Sequence, residues 1–161
     1  MAVTISIKDI IYEDFCNYKF PSMFIVFPSC TFKCEKERGE CICQNSNLVK
    51  LPSKNIGIKT IVNQYINNPI TKAIVCGGLE PFDSWEDLQT LISYFRVRTT
   101  DDIVIYTGYN KEELLDKIPF LKSAKNIVVK FGRYIPNQTP HYDSILGVNL
   151  ASDNQYAERI S

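Results

Sequence analysis

The sequence predicts an α/β domain with a parallel sheet, either open or barrel-like. Short apolar runs alternate with helical patterns between residues 58 and 132, and glycine follows these runs closely. Strands that alternate with helices are joined by right-handed crossovers and therefore pair in parallel. The 161 residues contain no repeat, low-complexity tract or linker. We therefore expect one domain over residues 1–161, which is large enough to bury its own core.

The first three predicted elements are a strand, a helix and a second strand. The first strand is the apolar run Met23–Phe27, and the second is the run Ala73–Cys76, which is short and bounded by glycine. Between them, apolar residues recur at helical spacing: Ile58, Ile61, Val62, Tyr65 and Ile66. This spacing predicts a helix with one buried face.

The alternation continues with another helix and strand. Ser84 and Asp87 resemble a capping box at a helix start. The residues that follow place four apolar side chains on one helical face: Leu88, Leu91, Ile92 and Phe95. Ile103–Tyr106 is then the next predicted strand.

A short helix and one more strand complete the regular pattern. Asn110 with Glu113 starts the helix, which is expected to end near Pro119. Ile127–Val129 is the last predicted strand. From Tyr134 onward the sequence is polar and contains proline, so we expect an irregular tail over about residues 134–161.

Composition and charge narrow the functional classes. Eighteen basic residues balance eighteen acidic ones, so no overall charge favours binding to nucleic acid or to a membrane surface. The first residues lack the basic and apolar regions of a signal peptide, and no apolar run approaches the roughly 20 residues that span a bilayer. We therefore expect a cytoplasmic protein. Its six cysteines are then expected to be ligands, reactive thiols or core residues rather than disulfides.

Four short segments come directly after predicted strands. They are the cysteine loop at residues 28–46 and residues 77–80, 107–109 and 131–134. Active sites in parallel sheets gather at the carboxyl ends of the strands. We therefore expect the four segments to meet at one edge of the sheet.

The cysteine loop predicts a metal centre. Thiolates from Cys30, Cys34 and Cys43 can hold three irons of a 4Fe-4S cluster and leave the fourth iron open to a ligand. With Cys41 as a fourth ligand, the loop would instead form a closed zinc site that only supports the fold. Spacing alone leaves the cluster, the zinc site and a non-metal role open.

Two glycine-containing segments supply candidate contacts to a small molecule. Gly77 and Gly78 permit a ligand to approach the main chain closely, and Glu80 is placed to meet an ammonium group. Thr107, next to Gly108 at a strand end, suits a contact to a ribose or a carboxylate. Taken alone, each segment is also explained by an ordinary turn from strand to loop.

Together, these segments resemble the radical S-adenosylmethionine (SAM) superfamily, and within it the small activating proteins of anaerobic ribonucleotide reductase. Cys30, Cys34 and Cys43 look like the three cluster cysteines of the family. Residues 77–81 are similar to its Gly-Gly-Glu-Pro segment, with Leu79 inserted. The likeness covers most of the chain.

Three later segments match the family in the same order. Residues 102–109 are similar to the strand and Thr-Gly-Tyr turn of the activating proteins. Residues 132–134 resemble their Gly-Lys/Arg-Phe/Tyr stretch, and residues 152–155 resemble their Ser-Ser-Asn-Gln stretch. Several colinear matches are harder to explain by chance than any one of them.

Two positions depart from the family pattern. Eight residues separate Cys34 from Cys43, where two are usual in the family, so Cys41 is an alternative third ligand. The hydrophobic residue Ile42 before Cys43, and Gln44-Asn45 after it, keep the family's flanking pattern and favour Cys43. The acidic residue that usually precedes the late glycine is Phe131 here, so the polar contact at that position is made either by Lys130 or by no residue.

The resemblance implies a partial TIM-type barrel with parallel strands, a radical SAM core, a 4Fe-4S cluster and SAM as cofactors. It further implies that Gly77, Gly78 and Glu80 hold the methionine end of SAM. In the same way, Ile42 would pack near the adenine, and Thr107 would contact the nucleoside or methionine portion. No further catalytic side chain is implied beyond the cluster and SAM.

The implied activity is that of an oxidoreductase that cleaves SAM reductively and generates a glycyl radical on a partner. The partner would be anaerobic ribonucleotide reductase, and the electron donor a protein such as flavodoxin or ferredoxin. Two alternatives are a radical SAM enzyme that acts on another glycyl-radical enzyme or on a small molecule, and a zinc-binding module without catalysis. Neither nucleic acid nor a membrane is an expected partner.

Overall fold

The computed structural model describes residues 3–28 and 52–161. These residues form β1 (Thr4–Ile7), β2 (Asp9–Asp14), β3 (Ser22–Phe27), β4 (Lys54–Gly57), α1 (Ile58–Asn67), β5 (Ala73–Gly78), α2 (Trp85–Arg98), β6 (Asp102–Tyr106), α3 (Ile118–Ala124), β7 (Ile127–Phe131), β8 (His141–Asp143), β9 (Val148–Leu150) and β10 (Tyr156–Arg159). Short 3-10 helices lie at Pro81–Ser84 and Lys111–Leu114. The residues proposed for the cysteine loop lie outside the described residues: Cys30, Cys34, Cys41, Ile42 and Cys43.

A mixed sheet organises the part of the chain that the structure describes. Six described strands pair in the order β10-β7-β6-β5-β3-β2. The strands β3, β5, β6 and β7 at its centre are parallel. The strands at its two ends, β2 and β10, are antiparallel to their neighbours. The partial barrel that the resemblance implies stays a prediction.

The hydrophobic pattern located the central elements correctly. Two of the three predicted helices are confirmed as α1 and α2, and the predicted strands as β3, β5, β6 and β7. The third predicted helix is a single 3-10 turn, Lys111–Leu114, whose predicted capping box between Asn110 and Glu113 is present. α1 begins after Gly57 without a side-chain cap. Its first N–H group, that of Ile58, donates instead to the Val3 carbonyl oxygen just before β1, at 2.9 Å.

One predicted helix boundary is wrong, and another is correct in position, with Ser84 as the N-cap residue, but lacks the predicted side-chain cap. Ser84 makes no side-chain cap to α2, and the Asp87 carboxylate accepts from the Ser6 N–H at 3.0 Å, so the apparent capping box serves to dock β1. Pro119 begins a helix rather than ending one, because it lies in the first turn of α3, where a missing N–H costs no hydrogen bond.

The expected irregular tail is also wrong, because it contains strands. β8 and β9 form a hairpin, and β10 extends the main sheet beside β7. Arg159 in β10 donates to both carboxylate oxygens of Asp102 at 3.0 and 3.1 Å. Tyr18 donates to the same carboxylate at 2.7 Å. These bonds tie the last strand to the amino-terminal end of β6.

The main sheet buries both of its faces. One face packs on the helices, and its fully buried residues include Ile25, Ile74, Cys76, Ile105 and Val129. The other face carries a smaller cluster formed by Ala73, Val75, Val104 and Val128 with residues of the C-terminal hairpin and of the segment before β3. Strands buried on both faces are nearly all apolar, which explains the uninterrupted runs in the sequence.

No described helix is long and apolar enough to cross a membrane.

Candidate functional site

The carboxyl ends of the parallel strands bring together the three predicted segments that the structure describes, at residues 77–80, 107–109 and 131–134. Phe27, the last residue of β3, lies opposite Gly78, the last residue of β5. β5 in turn pairs with β6, and β6 with β7. The chain therefore enters the cysteine loop from the position next to Gly78, and Thr107 and Gly132 follow on the next two strands. We call this edge the candidate edge.

Glu80 is the most enclosed charged side chain of the candidate edge, with 6% of its surface exposed. Its carboxylate accepts from the Phe82 N–H at 3.1 Å and from the Gly108 N–H at 2.8 Å. The Thr107 hydroxyl lies 2.9 Å from both carboxylate oxygens. Glu80 and Thr107, predicted separately as SAM contacts, are thus hydrogen-bonded to each other across β5 and β6.

Burial raises the pKa of the Glu80 carboxyl from 4.5 to about 7, although hydrogen bonds from Gly108, Phe82 and Thr107 act in the opposite direction. Removal of a carboxylate from water disfavours its charged form, whereas donors aimed at it favour that form. At neutral pH the side chain therefore lies near the middle of its titration. An ammonium group brought to Glu80 would favour the ionised form.

The raised pKa of Glu80 predicts that this side chain contributes less and less to the free energy of unfolding as the pH rises from about 4.5 to above about 7. In that window the folded chain keeps a proton on Glu80 that the unfolded chain releases, so the stabilisation is complete below 4.5 and is lost through pH 7. The difference is at most about 3 kcal/mol. Anaerobic urea unfolding at a series of pH values measures the slope of the free energy of unfolding against pH, which should be weaker in Glu80→Gln than in the wild type. Equal slopes in the two proteins would contradict the prediction.

Gly77 and Gly78 are explained by packing as well as by ligand approach. A Cβ at Gly77 would lie 2.9 Å from the Phe24 ring. Gly78 has a φ of +84°, and a Cβ there would lie 2.5 Å from Val26 Cγ1. The β3 side chains therefore occupy the space that larger residues would need. This close approach of β3 and β5 fixes the position where the cysteine loop begins.

The turn after β6 is held by its own hydroxyl. Thr107 donates its N–H to the Lys130 carbonyl oxygen at 2.9 Å, and its hydroxyl accepts from the Tyr109 N–H at 3.0 Å. The Tyr109 hydroxyl donates to Asp83 at 2.5 Å. Asp83 belongs to the 3-10 helix after Glu80. The segments after β5 and β6 are therefore joined by two sets of hydrogen bonds, one at Glu80 and one at Asp83.

Lys130 and Phe131 point to opposite faces of the sheet. Phe131 is fully buried in the core under the helices. Lys130 pairs with Tyr106 in register, and its ammonium lies 3.2 Å from the Gly132 carbonyl oxygen and 5.8 Å from the centre of the Tyr106 ring. Lys130 therefore lies on the face away from the helices, and Phe131 is a core residue.

The segment 152–155 supports the turn after β7. The Asn154 side-chain amide donates to the Arg133 carbonyl oxygen at 2.7 Å. The Gln155 amide oxygen accepts from the N–H groups of Ala151 and Ser152, each at 3.1 Å. Residues 152–155 belong to the sequence resemblance, but the hydrogen bond from Asn154 to residue 133 depends on tertiary structure. It could not be predicted from the sequence.

The described cysteines are poor candidates for the metal centre. Cys76 is fully buried under the helices, and burial raises the pKa of its thiol, which disfavours the thiolate that metals need. Cys16 follows β2, whose last residue pairs with the first residue of β3, so it lies at the opposite edge of the sheet. Among the described residues, no group of three metal-binding side chains occurs. The assignment of the metal centre to the cysteines at positions 30–43 stays a prediction, because these residues lie outside the described ones.

The comparisons with known proteins identify the chain as an iron–sulfur protein. A family model described as a 4Fe-4S single cluster domain matches residues 22–151, which include β3, the cysteine loop and every segment of the candidate edge up to Arg133. The chain belongs to this family. No curated protein and no solved structure matches it significantly.

Proposed function

We propose that this protein is a radical SAM enzyme that activates a glycyl-radical partner, anaerobic ribonucleotide reductase. The observation that carries the proposal is the register of β3 against β5, which joins the start of the cysteine loop to the Gly77–Glu80 segment. A 4Fe-4S family member with this arrangement can offer an open iron and a small-molecule site side by side. The sequence resemblance supplies the choice of SAM and of the partner.

In this proposal, Cys30, Cys34 and Cys43 hold the cluster, with Cys41 as the alternative third ligand. Ile42 would pack near the adenine of SAM. When bound, the cluster would supply the electron, received from a flavodoxin or ferredoxin, that divides SAM into methionine and a 5′-deoxyadenosyl radical able to take a hydrogen atom from a glycine of the partner.

The described residues would place the methionine end of SAM. Gly77 and Gly78 allow the main chain to approach it, and the Glu80 carboxylate would face its ammonium group. Since Thr107 and Gly108 already donate to Glu80, they would orient this carboxylate and support its ionised form. The hydrogen bonds thus hold the Glu80 side chain in one position at the strand end.

Anaerobic reconstitution with iron and sulfide, followed by reduction with SAM present, tests the proposal. We expect a broad visible absorption, formation of 5′-deoxyadenosine, and a glycyl radical signal when the partner reductase is added. Cys16→Ala is the matched control and should leave all three unchanged, because Cys16 is at the other edge of the sheet. Bound zinc without iron, or a cluster that never cleaves SAM, would overturn the proposal.

A further inference from the structure

Lys130 is a charged side chain that the fold encloses near the candidate edge, with 7% of its surface exposed. It directly precedes the last residue of β7 and points to the face of the sheet away from the helices. Its ammonium lies 3.2 Å from the carbonyl oxygen of Gly132, a residue beyond the end of β7. The side chain therefore runs along the strand toward the candidate edge, where Glu80 also lies.

Neighbouring groups fix the position of the Lys130 ammonium. It lies 5.8 Å from the centre of the Tyr106 ring, and the Tyr106 hydroxyl donates to the Asn17 carbonyl oxygen, which holds the ring in place. The Gly132 carbonyl oxygen that the ammonium contacts also accepts from the Gln155 side-chain amide at 3.4 Å. An aromatic face and a carbonyl oxygen both attract a cation. The charge of Lys130 therefore has a defined position at the strand end.

The end of β6 lies between this ammonium and the Glu80 carboxylate. Glu80 accepts from Thr107 and Gly108, which follow β6, whereas Lys130 lies against Tyr106, the last residue of β6. The Thr107 N–H donates to the Lys130 carbonyl oxygen at 2.9 Å, so Thr107 is bonded to both charged residues. β6 and β7 are neighbours in the sheet, about 5 Å apart. A carboxylate and an ammonium therefore lie at neighbouring strand ends.

We propose that Lys130 binds the carboxylate of the methionine group of SAM, while Glu80 binds the ammonium of the same group. This inference rests on the proposed function, which supplies SAM as the ligand. The α-amino-acid end of SAM carries an ammonium and a carboxylate on one carbon atom, so it is matched by opposite charges that lie close together. Enclosure strengthens both pairs, because hydrogen bonds between ionised groups are stronger where water is excluded.

A second cation of the candidate edge, Arg133, is placed less well for this role. Its guanidinium donates to the Glu113 carboxylate at 2.7 Å and lies 6.0 Å from the centre of the Tyr109 ring. Both contacts direct it to the segment that follows the turn after β6. The residue before Gly132, which is acidic in the family pattern, is Phe131 and is buried in the core. The end of β7 therefore presents Lys130 to the face away from the helices.

Ligand binding to the anaerobically reconstituted, unreduced protein tests this inference without radical chemistry. The probes are SAM and decarboxylated SAM, which lacks only the carboxylate, and equilibrium dialysis measures their dissociation constants. We expect Lys130→Met and Lys130→Gln to lower the preference for SAM over decarboxylated SAM by about tenfold or more. Lys130→Arg, which keeps a cation, should restore part of this preference. Lys122→Met is the matched control and should leave the preference unchanged, because Lys122 is exposed on α3.

The ratio of the two dissociation constants separates a contact to the carboxylate from a structural effect. If the neutral Lys130 variants weaken both ligands equally, or neither, while SAM is still cleaved on reduction, the inference is overturned and the proposed function stands. Loss of the preference in Arg133→Met alone would assign the carboxylate to Arg133 and would also overturn the inference. A preference that depends on Lys130, with SAM never cleaved, would refute the proposed function alone. Failure of the wild type to bind SAM would refute both.

Discussion

Cys43→Ala is expected to abolish the iron–sulfur centre. A site with three thiolate ligands cannot keep a 4Fe-4S cluster firmly when one ligand is lost, so iron per chain should fall from about four to near zero. Formation of 5′-deoxyadenosine should be lost with it. Iron analysis and visible absorption after anaerobic reconstitution measure the first effect, and chromatography of the SAM products measures the second.

The matched variant Cys41→Ala separates the possible ligand sets. If Cys43 is the third ligand, Cys41→Ala keeps the cluster; if the assignment is reversed, Cys41→Ala loses it and Cys43→Ala does not. In a closed zinc site of four cysteines, both variants and Cys30→Ala would all lose the metal. Retention of iron and SAM cleavage by Cys43→Ala would show that the assignment is wrong.

Gly78→Ala is expected to destabilise the protein by about 3 kcal/mol. The alanine backbone would have to adopt a φ of +84°, and its Cβ would lie 2.5 Å from Val26 Cγ1. The substitution therefore adds backbone strain to steric overlap with β3. Total stabilities of domains are about 5 to 15 kcal/mol, so this loss is a large fraction. Anaerobic urea unfolding followed by fluorescence of Trp85, the single tryptophan, measures it.

Gly108→Ala is the control at the same edge. A Cβ there would meet Glu80 Oε1 at 3.7 Å and Arg133 Cγ at 3.8 Å, which are ordinary contacts, and the N–H that donates to Glu80 is kept. We expect its stability to stay within about 0.5 kcal/mol of the wild type. A similar loss in both variants would mean that the close approach of β3 and β5 is not what requires glycine at position 78.

Hydrophobic periodicity was sufficient to predict the centre of the fold. Runs such as Ala73–Cys76 are buried on both faces, so their composition alone marks them as strands. β10 could not be found in this way, because its four residues Tyr156–Arg159 contain no apolar run and become a strand only by pairing with β7. The role of Asp87 was equally hidden, since its partner Ser6 is 81 residues away.

Local sequence patterns located the candidate site residues on their strands but did not reveal the contacts between them. The order of strands and glycines placed Glu80 and Thr107 at strand ends, and the structure brings both to the candidate edge. Their mutual hydrogen bond depends on the register of β5 against β6, which no local pattern contains.

The pairing of Phe27 with Gly78 also constrains the order in which the protein is assembled. These residues are 51 positions apart, and Glu80 and Thr107 are 27 apart, so the small-molecule side of the edge can form only after long chain segments have been closed. The cysteines of the loop, Cys30 to Cys43, are separated by at most 13 positions. The entropy lost in bringing them together is correspondingly smaller than for the strand pairs. In the proposed function, cluster assembly would therefore need only local chain closure, whereas the surface proposed for the methionine group would need three strands already folded.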